Sequence, residues 1–422
     1  MIRRVLPAAV AAALAVTLLT AGAAAPEPTP DPIRAAEYWL EDYGVTEAWK
    51  TTRGAGTTIA IIDTGIARDP AEFAGAVAGG ADFSGVGASD GRSPVGAVDA
   101  NHGSWVASLA AARGTGEDTG MIGVAPAAKL LSLSVGFGAT SSVPFVDQVA
   151  EAMHWAVDHG ADVINLSFTT NTLDWDRSWD DAFLYAYEHD VVVVVAAGNR
   201  GSGTDRVGAP ATIPGVLTVG GVDKTGTASV EASTQGITIG ISAPSEQLRG
   251  VSADGRVVGW NGTSGAAPIV AGIAALVRSA YPDLDAANVI NRIIRTATAV
   301  PNGSRALYGY GLIDAEAAVS ADVAAVTTNP MGDLKEWVRV NRRAEAGPQA
   351  TPTVTPVTVE ALPPAEGPTE RSSSLLPSAE TLRYGTVPLV GATLTAILVA
   401  LGVTAAARRA RSARNSSSEP RR

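Results

Sequence analysis

A chain of 422 residues with 46% hydrophobic and 17% charged residues, 45 Gly and 25 Pro, can bury a large core and, at about 100–200 residues each, hold two or three domains. With no Cys it has no disulfide, thiolate metal site or cysteine nucleophile, and its four His argue against a multi-His metal cage. The formal net charge is −11, and residues 408–422 hold six Arg and one Glu, so the remainder carries −16 and argues against nucleic acid as a partner.

The chain opens on Arg3 and Arg4, an Ala/Leu/Val run from Val5 to Leu19, and small residues at Ala21-Gly22-Ala23-Ala24. That order of charge, apolar run and small residues reads as a secretory signal over residues 1–25. A short arm follows, in which Pro32–Trp39 and Thr46–Lys50 read as short helices with Asp31 and Thr46 as candidate N-caps. Val/Ile-rich runs at Thr58–Ile62, Lys129–Val135, Asp162–Phe168, Val191–Ala196 and Val216–Val222 read as buried strands. Helical patterns lie at Trp105–Ala112, Val143–Val157, Asp180–Glu188, Ser264–Ala280 and Ala286–Thr296. Near-continuous apolar strands alternating with helices predict an α/β fold, a mostly parallel sheet covered on both faces, over residues 26–325.

Beyond this body, residues 326–386 read as a linker rich in Pro, including Pro348, Pro352, Pro356, Pro363, Pro364, Pro368 and Pro377. Val387–Ala407 has no charged residue in 21 positions, so as a helix it spans about 31 Å, enough to cross a hydrocarbon core of roughly 30 Å. Arg408, Arg409, Arg411 and Arg414 follow at once. The positive-inside rule puts the tail 408–422 in the cytoplasm and the body outside a single-pass membrane anchor.

In parallel sheets ligands collect beyond the carboxyl ends of the strands, so the residues just after each strand are where chemistry is expected. Thr58–Ile62 runs into Asp63-Thr64-Gly65, Asp162–Ile164 into Asn165-Leu166-Ser167, and Val191–Val195 into Ala196-Ala197-Gly198-Asn199. Asn101-His102-Gly103 opens one helix and Asn261-Gly262-Thr263-Ser264 another. A serine hydroxyl needs a positioned base to become a nucleophile, His is the usual one near neutral pH, and a buried carboxylate orients it. Ser264 stands among small residues at a helix start, with Pro268 in the first turn where no helix bond is lost. Asn199 can offer an amide donor to a developing oxyanion.

Other motifs carry less. Asp-Thr-Gly also occurs in aspartic proteases, but no second copy is present. Gly114–Gly120 lacks the Gly-Lys-Ser/Thr ending of a phosphate loop and follows a helix, so it reads as an exposed loop. His154 and His159 read as surface residues near a helix end. A glycan on the Asn261-Gly262-Thr263 sequon would block Ser264.

The order of the blocks resembles the subtilisin-like serine proteases (subtilases), whose triad runs Asp, His, Ser. The matching stretches are Ile61–Ile66, His102–Ala107 and Gly262–Gly272, together with Gly123–Ala128, Ala196–Asn199 and Gly309–Ala315. The resemblance implies a subtilisin-like fold and makes Asp63 the orienting acid, His102 the base, Ser264 the nucleophile and Asn199 the oxyanion donor. It places Ser167 in the segment that pairs with substrate backbone, Gly208 at the floor of the substrate pocket, and a cis bond at Ala209-Pro210. The family usually has Thr at Ser104, a bulkier residue at Gly265, often His at Ile269, and Gly at the third position of Ser167-Phe168-Thr169. Its calcium loops find no clear match, so no metal or cofactor is expected.

Signal, arm, subtilase domain, Pro-rich segment, membrane helix and basic tail together look like the mycosins, membrane-anchored subtilases of actinobacterial type VII secretion systems. Mycosins usually carry disulfides, which this chain lacks. The resemblance implies protein or peptide substrates, the membrane and type VII secretion membrane components as partners. A structural subunit of a secretion complex, with catalysis dispensable, is the alternative; intact Asp63, His102, Ser264 and Asn199 favour the enzyme. Too few residues precede Asp63 to build a separate pro-domain, so the enzyme is expected to fold without one and keep its arm.

Overall fold

The computed structural model describes residues 31–96, 100–137, 141, 143–342 and 387–415. The expected signal peptide, most of the Pro-rich segment and the end of the tail lie outside the described residues. The chain divides into two units, one up to Pro348 and one from Gln349.

In the first unit a 3-10 turn (Arg34–Ala36) and the short helices α1 (Trp39–Asp42) and α2 (Val45–Ala48) precede strands β1 (Thr58–Asp63) and β2 (Val77–Asp82). Then come α3 (His102–Ala111), β3 (Lys129–Ser134), α4 (Phe145–Asp158), β4 (Val163–Leu166), α5 (Arg177–Glu188), β5 (Val192–Ala196), β6 (Leu217–Val222) and β7 (Ile239–Pro244). An antiparallel hairpin, β8 (Leu248–Val251) and β9 (Val257–Trp260), leads into α6 (Thr263–Ala280), followed by α7 (Ala286–Arg295), α8 (Arg305–Tyr308), α9 (Ala315–Ser320) and α10 (Leu334–Asn341).

Seven strands form one sheet in the order β2-β3-β1-β4-β5-β6-β7, every neighbouring pair parallel. Alternation along each strand sends side chains to two cores. Ile59, Ile61, Val192 and Val194 meet Val106 and Leu109 of α3 and Val270 and Ile273 of α6, while Ala60, Ile62, Val193 and Val195 meet Met153 of α4 and Phe183 of α5. Burial on both faces explains why these strands carry no polar alternation, and each buried Val or Ile contributes about 1.5–3 kcal/mol relative to exposure. The order reverses between β1 and β4, so the crevice beyond their carboxyl ends is where an α/β sheet of this kind takes its ligand. Register sharpens the point. Ile62 pairs with Leu166 and Leu166 with Val195, so Asp63, Ser167 and Ala196 stand in one row just past them.

Several expectations need correction. The expected strands are present, but β2, β7 and the β8–β9 hairpin were not read from the sequence. The helical pattern read from Trp105 starts at His102, so the imidazole sits on the first turn, where Asn101-His102-Gly103 was expected to open a helix. In the arm, the helix expected over Pro32–Trp39 is only a 3-10 turn at Arg34–Ala36 with Ile33 at its cap position; Asp31 stands ahead of it and accepts from the N–H of Ile33 and Arg34 at 2.9 and 3.0 Å. Thr46 does not cap: α2 follows Gly44, whose φ of 71° ends the preceding turn, and Thr46 lies inside the helix. Trp39, Val45 and Ala48 are wholly buried, so the arm is part of the core.

The expected linker also starts too early, because residues 326–342 belong to the domain. Asp333 caps α10 by accepting from the Glu336 N–H at 3.0 Å, Leu334 is buried, and Trp337 packs on Trp175 with centroids 4.5 Å apart. Arg342 then reaches Asp180, Nε to Oδ2 at 2.8 Å. In the second unit α11 (Val387–Asn415) is one continuous helix, apolar and long enough over Val387–Arg409 to cross a membrane.

Candidate active site

β1 ends on Asp63, whose side chain is fully buried. Its Oδ1 accepts the Thr64 N–H at 2.7 Å, and its two oxygens lie 2.8 and 2.9 Å from His102 Nδ1. A carboxylate only accepts, so Nδ1 carries the proton and Nε2 is the acceptor nitrogen of the neutral ring. The turn after β1 and the start of α3 are stitched together by Thr64, which donates to the Ala100 carbonyl at 2.9 Å and accepts from the Gly103 N–H at 2.8 Å. Gly103 is needed there, since a Cβ would stand 2.6 Å from the Gly65 carbonyl oxygen. Trp260, at the end of β9, presents to the His102 ring at 5.8 Å and 75° and is backed by Trp105 at 5.6 Å.

Ser264 is the second residue of α6, where backbone N–H groups have no partner within the helix. Its Oγ donates to the Ser167 carbonyl at 2.9 Å, and Ser167 Oγ donates back to the Ser264 carbonyl at 2.8 Å. Asn165 Nδ2 donates to Ser167 Oγ at 2.9 Å and holds that residue in place. Asn199 lies on the other side. Its Oδ1 accepts from the Thr263 N–H at 2.8 Å and from Thr263 Oγ at 2.9 Å, while Thr263 Oγ itself accepts from the Gly198 N–H at 3.0 Å. With the amide oxygen committed to Thr263, Nδ2 faces Gly262, 3.1 Å from where a Cβ on that residue would lie. The donor therefore points at the turn that delivers Ser264.

Gly208 stands farther along the same cleft. Thr169 Oγ donates to its carbonyl at 3.0 Å, and the Ala209 N–H donates to the Thr172 carbonyl at 2.7 Å. The Ala209-Pro210 bond is cis. Ser104, where the family usually has Thr, accepts from the Ala67 N–H at 2.9 Å. Gly265 replaces a bulkier residue because Leu248 and Trp260 already fill the space, with a Cβ there meeting Leu248 Cδ1 at 2.3 Å. Ile269 is simply core.

The fold thus draws Asp63, His102, Ser167, Asn199 and Ser264 from five separate segments, with Gly208 at the edge. Sequence reading missed Asn165, Thr263 and Trp260. Thr263, next to Ser264 in Gly-Thr-Ser, had a signal in its position; Trp260 had none, since its partner lies 158 positions away in the chain. The set-aside motifs are surface features: Gly114–Gly120 folds back through Gly114 N–H to Met121 carbonyl at 2.9 Å, and His159 stacks on Trp155 at 3.5 Å.

Residues 54–311 match the Subtilase family of peptidases, family S8. The chain belongs to the subtilase family. This subtilase is 34% identical to mycosin-4 of Mycobacterium tuberculosis over 346 residues, 72% of this chain and 73% of that protein. Over 273 residues it is 36% identical to subtilisin DY of Bacillus licheniformis, 63% of this chain and 92% of that protein. Among solved structures it is similar to MycP1 with the N-terminal propeptide removed, at a TM-score of 0.58 and 31% identity, covering 70% of this chain and 99% of that one. MycP3 protease from the type VII (ESX-3) secretion system aligns with a TM-score of 0.59 and 32% identity over 70% of this chain and 90% of its own. The subtilase is accordingly a mycosin-like serine endopeptidase with a subtilisin-like fold.

Proposed function

We propose that this subtilase hydrolyses peptide bonds through an acyl-enzyme on Ser264. The observation that carries the proposal is the His102 ring held through Nδ1 by the buried Asp63 carboxylate at 2.8 Å, with Ser264 opening a helix whose first turn is tied to Asn199. His102 Nε2 takes the Ser264 proton as Oγ bonds to the scissile carbonyl carbon. The carbonyl electron pair moves onto oxygen, which receives N–H donors from Asn199 Nδ2 and from the backbone at the start of α6. Collapse breaks the C–N bond, and the proton on Nε2 passes to the leaving amine. Water then repeats the sequence with His102 as base and frees Ser264. Ser167 lines the cleft where substrate backbone would pair, and Gly208 lies at the far end of the substrate pocket.

Ser264→Ala and His102→Ala should each lose about 10⁶ in turnover, the size of such losses in subtilisin. Full peptidase activity in purified Ser264→Ala protein would overturn the assignment.

The apolar length of α11 supports a membrane anchor, and the arginines after it support a cytoplasmic tail with the catalytic domain outside. Protease added to intact cells should remove the domain and spare a tag at Arg422; loss of that tag would invert the topology. Similarity to MycP1 and MycP3 supports a place beside a type VII secretion complex. Co-purification of its membrane components with the detergent-solubilised protein, unchanged by Ser264→Ala, is expected on this reading; their absence would leave a free-standing membrane protease.

A further inference from the structure

The gap between the segments leaving β4 and β5 is where the side chain of the residue being cleaved must go. An acyl carbon on Ser264 Oγ lies beside the Ser167 carbonyl, 2.9 Å from that Oγ, and its oxygen is turned to Asn199. The α-carbon attached to it then stands over the space flanked by residues 167–169 and 197–199. Phe168 leaves this space for the opposite core, packing against Phe145 and Phe137 with centroids 5.1 and 5.8 Å apart. Alternation along an extended segment therefore turns Thr169 into the gap.

The Thr169 side chain is held there. Its hydroxyl donates to the Gly208 carbonyl at 3.0 Å, and its methyl faces Gly198, 2.7 Å from where a Cβ on that glycine would be. The Thr204 methyl presses on the same point at 2.6 Å. β-Branching leaves Thr169 little freedom to swing aside without breaking the bond to Gly208. The far end is shut as well, since a Cβ on Gly208 would lie 1.9 Å from the Thr170 carbonyl oxygen.

We propose that Thr169, backed by Thr204, is the specificity-determining residue of this subtilase, restricting the residue on the acyl side of the cleaved bond to Gly, Ala or Ser. The inference rests on Ser264 being the nucleophile. An aromatic or isobutyl side chain would have to displace two methyls from a closed space, whereas a methyl group fits beside them.

The test is a pair of fluorogenic peptides differing only in Ala or Phe at that position, hydrolysed by the full-length protein in detergent. Each methylene in such a pocket is worth about 10–200-fold, so wild type should favour Ala by about 100-fold or more in kcat/KM. Thr169→Gly should cut the Ala-to-Phe ratio by at least about 10-fold. Thr169→Ser keeps the hydroxyl and its bond but removes the methyl, so it reports even where the glycine variant misfolds; the ratio should fall in the same direction. Fluorophosphonate labelling of every protein separates the two readings. Wild type that labels but cleaves the Phe peptide as well as the Ala peptide overturns the inference, as does an unchanged ratio in a labelled Thr169→Ser variant. Wild type that neither labels nor cleaves removes the nucleophile assignment instead.

Discussion

Helix α6 and the stretch Val387–Ala407 of α11 are both long, apolar and nearly free of charge, yet they do opposite work. α6 is buried from Gly265 through Arg278, lies against the sheet, and presents Ser264 from its first turn. α11 belongs to the other unit and has its apolar side chains exposed. The difference lies in large side chains and flanks. Thr263–Ala280 and Val387–Ala407 hold the same six Ala and two Gly, but five Leu, Ile and Val in the first against nine in the second. In α6 the small residues let it press against α3: a Cβ on Gly272 would meet Val124 at 2.7 Å and the Ala110 carbonyl at 3.1 Å. It is also followed closely by polar, capped structure, with Asp285 accepting from the Asn288 N–H at 2.8 Å. The apolar stretch of α11 carries Leu, Ile and Val on every face and gives way to Arg408 and Arg409. A hydropathy window sees the same helix twice; small residues at close contacts and arginines at one end tell core from membrane span.

The largest effect should come from placing one charge in α6 and from removing α11. Ala271→Asp would bury a carboxylate with no partner and destabilise the domain by about 4 kcal/mol or more, whereas a chain ending at residue 386 should be soluble and keep wild-type kcat/KM on a short peptide. Circular dichroism and membrane fractionation check the two halves. An Ala271→Asp protein melting with wild type, or a truncated protein without activity, would break the contrast.

Glu37 offers a smaller case of a carboxyl in the core. Its side chain is fully buried, Oε1 accepts from the Ile122 N–H at 2.9 Å, and Oε2 lies 3.8 Å from Arg34 Nε with no hydrogen-bond partner among the described residues. Burial, opposed by that bond and by Arg34, pushes its pKa up to about 8. A carboxyl that titrates near 8 when folded and near 4.5 when unfolded binds more protons in the native state, so stability is greatest below the lower value and is lost as pH rises toward 8. Thermal melts should therefore weaken from pH 5 to pH 8, by a few kcal/mol at most. Glu37→Gln keeps the acceptor for Ile122 and should flatten the profile; an equal slope in the variant would remove Glu37 as its source.

The smallest effect concerns where the domain ends. Trp337→Ala removes the contact with Trp175 and should cost about 1–2 kcal/mol in urea unfolding, with activity on a short peptide retained. No change in stability would return residues 326–342 to the linker.

How much was legible follows from what each element leans on. Central strands β1, β4 and β5 show as Val/Ile runs because both their faces are buried. The edge strand β2 reads Val-Ala-Gly-Gly-Ala-Asp, where Gly80 is demanded by the Asp90 and Ser132 carbonyls, each 2.3 Å from a would-be Cβ. Glycine that serves a distant neighbour looks like a loop in a local window. β7 ends in Pro244, which obscured it in the same way. The β8–β9 hairpin did have a local sign in Asp254-Gly255, a pair favoured in tight hairpin turns. At the start of α3, Asn101-His102-Gly103 did mark the opening, but Asn101 makes no side-chain cap there and instead accepts from the Ala253 N–H at 2.7 Å, across the hairpin. In the site, Asp63, His102, Asn199 and Ser264 stood out as motifs at element ends. Thr263 stood out only as the neighbour of Ser264; its hold on the Asn199 amide, like Trp260 against His102 and the Thr169 methyl against Gly198, depends on contacts between remote segments, which no local pattern encodes.

The most direct test of the central claim is to label the detergent-solubilised, full-length protein with a fluorophosphonate and map the adduct by peptide mass spectrometry. A single adduct on Ser264, lost in Ser264→Ala and greatly slowed in His102→Ala, is the predicted result. Equal labelling in Ser264→Ala, or an adduct on any other residue, would contradict it.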